Sequence, residues 1–338
     1  RALPVVAEYE KNQLGFRGQR IEYGPGDLVV VLLGDSQAEA VFCCPFEAMP
    51  ERRLEEYLAR PVGRPVKVFT LGATGYGQDQ QLLVLQEYYA RYRADLVLLW
   101  ETPVNDVWNN LFPTHWPANG APKPTFWVER GTLEGPSEQM GESIATSPIA
   151  AVTLWKRALS PLRRDEAWEK RLPPAYAPMT HYEGPVNLLW QVQFNLGVYR
   201  DENLRTEKSH LAVRLIPPSP RMHYALDLMR RLLQEIARTV SDHQGTFITF
   251  RAVTPEDMQD DTTEVYELNG LYYMASQRQV DANMAYVNQD VQYHKIRVTP
   301  EKYRVSPSDP HLNIEATDLV MRDLAAVLRE SVPDLRAP

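Results

Sequence analysis

The chain has 338 residues, of which 44% are apolar and 24% charged, with a formal net charge of −8. That balance describes a core-forming protein rather than a disordered one, and at this length one large α/β domain or two smaller ones can bury enough surface without staples. The acidic surplus argues against nucleic acid as a partner, and no apolar run approaches the roughly 20 residues that a bilayer span requires.

The first strand is Leu28-Val29-Val30-Val31-Leu32-Leu33. Its lack of alternation is that of a central parallel strand covered on both faces. It ends at Gly34-Asp35-Ser36, after which Gln37 to Cys44 and Pro50 to Arg60 read as helical, with Pro50 suited to a first helical turn. Cys43 and Cys44 are neighbours, so their Cα atoms lie about 3.8 Å apart, below the usual bridging range of about 4.4 to 6.8 Å, and no disulfide is predicted. Val66 to Leu71 is a second strand, closed by Gly72-Ala73-Thr74-Gly75-Tyr76-Gly77. Asp79 is placed to cap the next helix, where Leu82, Leu85, Tyr89 and Tyr92 recur at helical spacing. Asp95 to Trp100 is a third strand, running into Glu101-Thr102-Pro103-Val104-Asn105-Asp106. Strand alternating with helix in this way predicts an α/β fold, three-layer α/β/α with a mostly parallel sheet.

From Val107 to about Pro220 the rhythm breaks, in a Pro-rich stretch holding Trp108, Trp116, Trp127, Trp155, Trp168 and Trp190. Val186 to Val198 alternates with period two and Leu211, Val213 and Leu215 repeat the pattern, so a β-hairpin within a 107–220 insertion is expected, the whole chain, 1–338, being one domain. The tryptophans either build a small core beneath that insertion or stand as platforms for sugar rings or acyl chains. A helix over Tyr224 to Val240, ended by Gly245, and a strand over Phe247 to Phe250 resume the rhythm. Between Thr254 and Ser306 only a strand near Val291 to Val298 is legible, and Asp309-Pro310-His311-Leu312-Asn313 leads into a terminal helix.

In an open parallel sheet, ligands bind beyond the carboxyl ends of the strands. Ser36, Gly75 and Asn105 each come after one of the first three strands, so they share one rim. A serine there is a nucleophile if a base takes its proton, and a backbone N–H beside a glycine together with an Asn amide can stabilise an oxyanion. Asp309 and His311 supply the imidazole and a carboxylate to orient it. Each piece alone is ordinary: Gly-Asp-Ser is a common turn, Asn105-Asp106 a turn or cap, His311 a residue before a helix. Their conjunction in order points to acyl chemistry.

Gly34-Asp35-Ser36, Gly72-Ala73-Thr74-Gly75, Asn105-Asp106 and Asp309-Pro310-His311 together resemble the motif blocks of the SGNH/GDSL hydrolase superfamily. Asn12-Gln13-Leu14-Gly15-Phe16-Arg17-Gly18 is similar to the segment before the first strand in some bacterial members. The resemblance covers most of the chain outside 107–220. It implies a flavodoxin-like sheet, Ser36 as nucleophile, His311 as base, Asp309 as its orienter, and Gly75, Asn105 and the Ser36 amide as oxyanion donors. No metal or cofactor is implied. The common family spacing is Asp-x-x-His, and the residue three before His311 is Ser308, so Asp309 stands one place closer, as in branches that include polysaccharide O-acetyltransferases. The expected function is a serine esterase acting on small acyl esters such as acetyl groups on carbohydrate. An O-acetyltransferase using the same residues and an inert carbohydrate-binding module on this fold are the alternatives. The resemblance favours an extracytoplasmic location, and a chain beginning at Arg1 leaves a signal peptide or anchor upstream open. His115, His181, His210, His223, His243 and His294 are scattered without metal-ligand spacing, and Asp257, Asp260 and Asp261 read as a solvated acidic cluster.

Overall fold

A computed structural model describes residue 7 and residues 10–59, 64–116, 120–137, 165–187, 201–258, 263–307 and 309–335. In chain order these form β1 (Leu28–Gly34), α1 (Ser36–Glu39), α2 (Pro50–Ala59), β2 (Val66–Gly72), α3 (Gln78–Tyr89), β3 (Leu96–Trp100), α4 (Pro103–Leu111), a short hairpin β4 (Trp127–Glu129) and β5 (Thr132–Glu134), and α5 (Asp201–Thr206). Then come α6 (Pro220–Asp242), β6 (Thr246–Val253), a hairpin β7 (Thr263–Leu268) and β8 (Leu271–Ser276), α7 (Gln277–Val287), β9 (Gln292–Arg297), β10 (Arg304–Ser306), β11 (Asp309–Leu312) and α8 (Ile314–Ser331).

Five strands make the central sheet in the order β2-β1-β3-β6-β9, every pairing parallel. This is the flavodoxin-like order, and it reverses direction between β1 and β3, the switch point at which doubly wound sheets open a crevice. The run at β1 is buried along its whole length because both faces are covered. Val29, Val31 and Leu33 pack with residues of α3, α4, α6 and α7, while Leu28, Val30 and Leu32 pack with α2 and α8. The fold is therefore the three-layer α/β/α arrangement expected from the βαβ rhythm.

Several local expectations change. The helix after Ser36 lasts only four residues, ending at Ala40 in a left-handed conformation (φ 54°), and the chain then turns instead of continuing to Cys44. That turn brings Cys43 and Cys44 into a bridge, contrary to the sequence expectation. The usual Cα window holds for bridges between separate segments, whereas adjacent cysteines bridge by closing one small ring. Asp79 is not the N-cap of α3, which is Gly77; it accepts the Gln80 N–H of the first turn at 2.8 Å and lies wholly buried in an ion pair with Lys123. Asn105-Asp106, read as a turn or cap, lies in the first turn of α4, where Asp106 accepts the N–H of the capping Thr102 at 2.7 Å. Leu211 to Leu215 is not a strand but a 3-10 turn, Ala212–Arg214, and Ala212 and Val213 are buried in the same core as α4 and α6. The alternating run from 188 to 198 and Trp155 and Trp190 lie outside the described residues, as do Asp260 and Asp261. Among the described residues no helix is long and apolar enough to cross a membrane.

The segment before β1 fastens the turn that comes after α1. Arg17 is buried and donates from Nη1 to the Ala40 carbonyl at 2.9 Å, from Nη2 to the Cys44 carbonyl at 2.9 Å, and from Nε to Glu10 at 2.8 Å. Asn12 donates to the Thr70 carbonyl at 3.1 Å. Removing a buried guanidinium orphans each of these acceptors, and a lost charged hydrogen bond costs about 1.5 to 3 kcal/mol. Arg17→Ala is therefore expected to lower the unfolding free energy by roughly 3 kcal/mol, read as a shift of the urea midpoint. An unshifted midpoint would show that the clamp is not holding the turn.

Candidate active site

Ser36 stands at the first position of α1, where β1 breaks into helix. Asp35 caps that helix by accepting the Gln37 N–H at 2.9 Å. The break is tight: a Cβ on Gly34 would lie 2.8 Å from the Ala38 side chain, so the short helix can sit on the strand end only over a glycine.

Ser36 Oγ lies 2.8 Å from His311 Nε2, and His311 Nδ1 lies 2.6 Å from Asp309 Oδ1. Both partners come from β11. Residues two apart on a strand face the same way, so Asp309 stands beside the His311 ring and also accepts the His311 backbone N–H at 3.1 Å. Asn313 then caps α8 through Ala316 N–H at 2.9 Å, anchoring the strand to the helix behind it. Phe42 stacks on the His311 ring with centroids 4.5 Å apart, leaving the imidazole little room to swing.

Gly75 and Asn105 line the same cavity as Ser36 and His311. Gly75 has φ +76°, the left-handed region, which lets its loop turn over the end of β2. Its carbonyl accepts from Asn109, and its backbone also bonds His115. Burial, then the nearby Lys123 and Lys208, hold the His115 pKa below the ordinary value, so this imidazole is a neutral prop. Asn105 donates one amide N–H to Asp35 at 2.8 Å, which leaves its second N–H for another acceptor. Asp35, wholly buried, also accepts from Thr102 at 3.2 Å and so ties the loop after β3 to the serine turn. Burial raises the pKa of Asp35, and burial together with the charge of Asp35 raises that of Asp106 well above the usual range, so the pair resists carrying two charges.

The cavity has a volume of about 1000 Å³. Trp116 is 37% exposed at its wall, whereas Trp108, which also lines it, and Trp168 are buried. Asp257, expected on a solvated surface, instead lines this cavity and accepts the Thr254 N–H at 2.8 Å. Sequence motifs did not single out His115, His210, Glu101 or Arg251, all of which line it. Applying the strand-end rule to every strand would have found two of them, since Glu101 comes directly after Trp100 and Arg251 interrupts the apolar run of β6. Burial lowers the pKa of His210 to about 4, so it adds no second cation beside His311 at neutral pH. Among the described residues no group of three or more His, Cys, Asp or Glu side chains is disposed to hold a metal ion.

Glu101 is fully buried with both carboxylate oxygens on the Asn288 amide, at 3.1 and 3.0 Å, and burial pushes its pKa from 4.5 up to about 8. A carboxyl whose pKa rises on folding takes up a proton, so its contribution is complete below the unfolded value and is lost as pH rises to about 8. The loss amounts to about 1.4 kcal/mol for each pH unit crossed. Glu101→Gln keeps an acceptor for Asn288 and removes the titration. The expected outcome is that the variant gains stability over the parent steadily from pH 5 to pH 8 in urea melts; parallel pH profiles would contradict it.

No family model matches the chain, and no curated protein matches it. Among solved structures it is similar to an acetyl xylan esterase from the rumen bacterium Butyrivibrio proteoclasticus, at 8% identity over 94% of this chain and 67% of that one with a TM-score of 0.40. It is also similar to a carbohydrate acetylesterase family member from Sinorhizobium meliloti, at 13% identity over 90% and 99% with a TM-score of 0.34, and to a lipase from a goat rumen metagenome, at 10% identity over 88% and 96% with a TM-score of 0.40.

Proposed function

We propose that the protein is a serine esterase that removes small acyl groups, acetyl-like in size, from an alcohol such as a sugar. The observation that carries this reading is the unbroken hydrogen-bond path from Ser36 Oγ through His311 to Asp309, opening into a cavity at the sheet's switch point. In the proposed cycle neutral His311 takes the Ser36 proton as the hydroxyl oxygen attacks the ester carbonyl. Asp309 holds the Nδ1 proton and stabilises the imidazolium. The Ser36 amide, Gly75 N–H and the free N–H of Asn105 take the developing oxyanion. His311 then returns its proton to the departing alcohol, leaving an acyl group on Ser36, and water brought in through the same imidazole completes hydrolysis.

The test is direct. Purified protein should turn over a chromogenic acetate ester and become covalently labelled by a serine-reactive phosphonate, with labelling and inactivation progressing together. A protein inert to both reagents would return the carbohydrate-binding alternative to the front.

A further inference from the structure

Gly75 stands third in the turn Ala73-Thr74-Gly75-Tyr76, which the Tyr76 N–H closes on the Ala73 carbonyl at 3.0 Å. Its φ is +76° and that of Thr74 is negative, the combination of a type II turn. Type I and type II turns differ by a flip of the middle peptide. Here the middle peptide, between Thr74 and Gly75, carries the Gly75 N–H. The direction of that N–H is therefore set by whatever keeps the turn in one form.

Side chains hold the turn on both flanks. Glu39, the last residue of α1, accepts the Thr74 N–H at 2.8 Å and the Thr74 hydroxyl at 2.5 Å. On the other flank Asn109 donates an amide N–H to the Gly75 carbonyl. Asn109 is wholly buried, and among the described residues its Oδ1 meets no donor. An orphaned polar atom is unfavourable in a core, so a leucine would pack on α4 at lower cost, and what the asparagine adds is the bond to Gly75. The same two elements carry the rest of the proposed oxyanion site. Ser36 belongs to α1, and Asn105 stands one turn before Asn109 on the same face of α4. Glu39 and Asn109 thus tie the Gly75 segment to the two segments that bear the other donors.

We infer that Asn109, with Glu39 opposite it, is a positioning residue of the oxyanion site: it keeps the Gly75 turn in its type II form and so aims the Gly75 N–H, without itself touching substrate. The inference rests on the esterase reading above, in which that N–H takes the oxyanion. Charge develops on the ester oxygen only in the transition state, so a misdirected N–H costs rate and not substrate binding.

Asn109→Leu removes the donor at nearly constant volume. On a chromogenic acetate ester kcat and kcat/KM should fall equally, by roughly 10- to 100-fold, with KM and the urea midpoint near the parent's. Losing an oxyanion donor outright costs about 10²- to 10³-fold; the loss here is smaller because His115 still bonds the Gly75 backbone. Labelling of Ser36 by the phosphonate should slow by the same factor, because its phosphoryl oxygen takes the oxyanion's place. Glu39→Ala should lower kcat about fivefold, the scale of one hydrogen bond, and Glu39→Gln, whose amide oxygen accepts the Thr74 N–H, should restore most of it. That pair decides the matter if Asn109→Leu does not fold. Wild-type kcat and labelling in Asn109→Leu, or a change confined to KM, would overturn the positioning role and leave the esterase reading standing. So would a midpoint that falls in step with kcat while Glu39→Ala is unimpaired, since Asn109 would then be a packing residue. A wild type inert to ester and phosphonate alike ends both readings. A wild type that is labelled without turnover ends the esterase reading alone, and the labelling rates of the variants then decide the role of Asn109.

Discussion

Replacing Ser36 by alanine is expected to lower kcat on an activated acetate ester by roughly 10⁴- to 10⁶-fold and to abolish phosphonate labelling. The expectation rests on the position of the hydroxyl: Ser36 is 4% exposed, at the first turn of α1, and its oxygen is 2.8 Å from the imidazole nitrogen that would take its proton. Because serine and histidine would act as one unit, His311→Ala should cost about as much, and the double variant should be no worse than either single one. Additive losses would mean that the two side chains do not work together. A Ser36→Ala protein that retains labelling would place the nucleophile elsewhere. Ser36→Ala removes only a hydroxyl and should keep the parent's urea midpoint, so its lost activity can be read as lost chemistry, whereas His311→Ala also takes away the partner of Asp309 and the ring stacked on Phe42, and its midpoint is measured beside its activity.

Much of this constellation was legible in the sequence, for a definite reason. Parallel strands buried on both faces read as unbroken apolar runs, so β1, β2 and β3 announce themselves, and Ser36, Gly75 and Asn105 stand just past their carboxyl ends. Asp309 and His311 gained meaning only from order along the chain, since nothing local says that β11 returns to β1. The stretch from 107 to 220 was harder. Leu211, Val213 and Leu215 alternate like a strand, yet a 3-10 turn forms there, and Ala212 and Val213 bury themselves against α4 and α7 instead. The Cys43 to Cys44 bridge was missed because it depends on how sharply the chain turns after Ala40, which tertiary contacts from Arg17 decide. His115, Glu101 and Arg251 carry no motif, because their roles arise from the groups packed around them.

Asp309→Asn should reduce kcat by about 10⁴-fold while leaving KM on the same scale, the signature of an imidazole held in the wrong tautomer. The motif spacing makes this the most informative carboxylate to change. With Asp and His three apart a turn must bring them together, whereas here they are two apart on β11, and the pleat alone sets them side by side. Asp309 then has two duties, fixing the His311 backbone N–H at 3.1 Å and the ring nitrogen at 2.6 Å. Both bonds end on the same oxygen, Oδ1, so an asparagine either keeps its carbonyl there, holding the backbone bond and the same tautomer without charge, or turns its N–H there, losing the backbone bond and forcing the proton onto Nε2, where it blocks proton transfer from Ser36. The nearest rival is Asp35, which also feels the charge of His311. Its oxygens are already taken by Gln37, Thr102 and Asn105, and its pKa is raised by burial, so it is poorly placed to steady an imidazolium. If Asp35 were the orienting group, Asp309→Asn would cost less than tenfold and Asp35→Asn would cost the larger factor. The geometry predicts the opposite order, with Asp35→Asn acting by loosening the loop that carries Asn105.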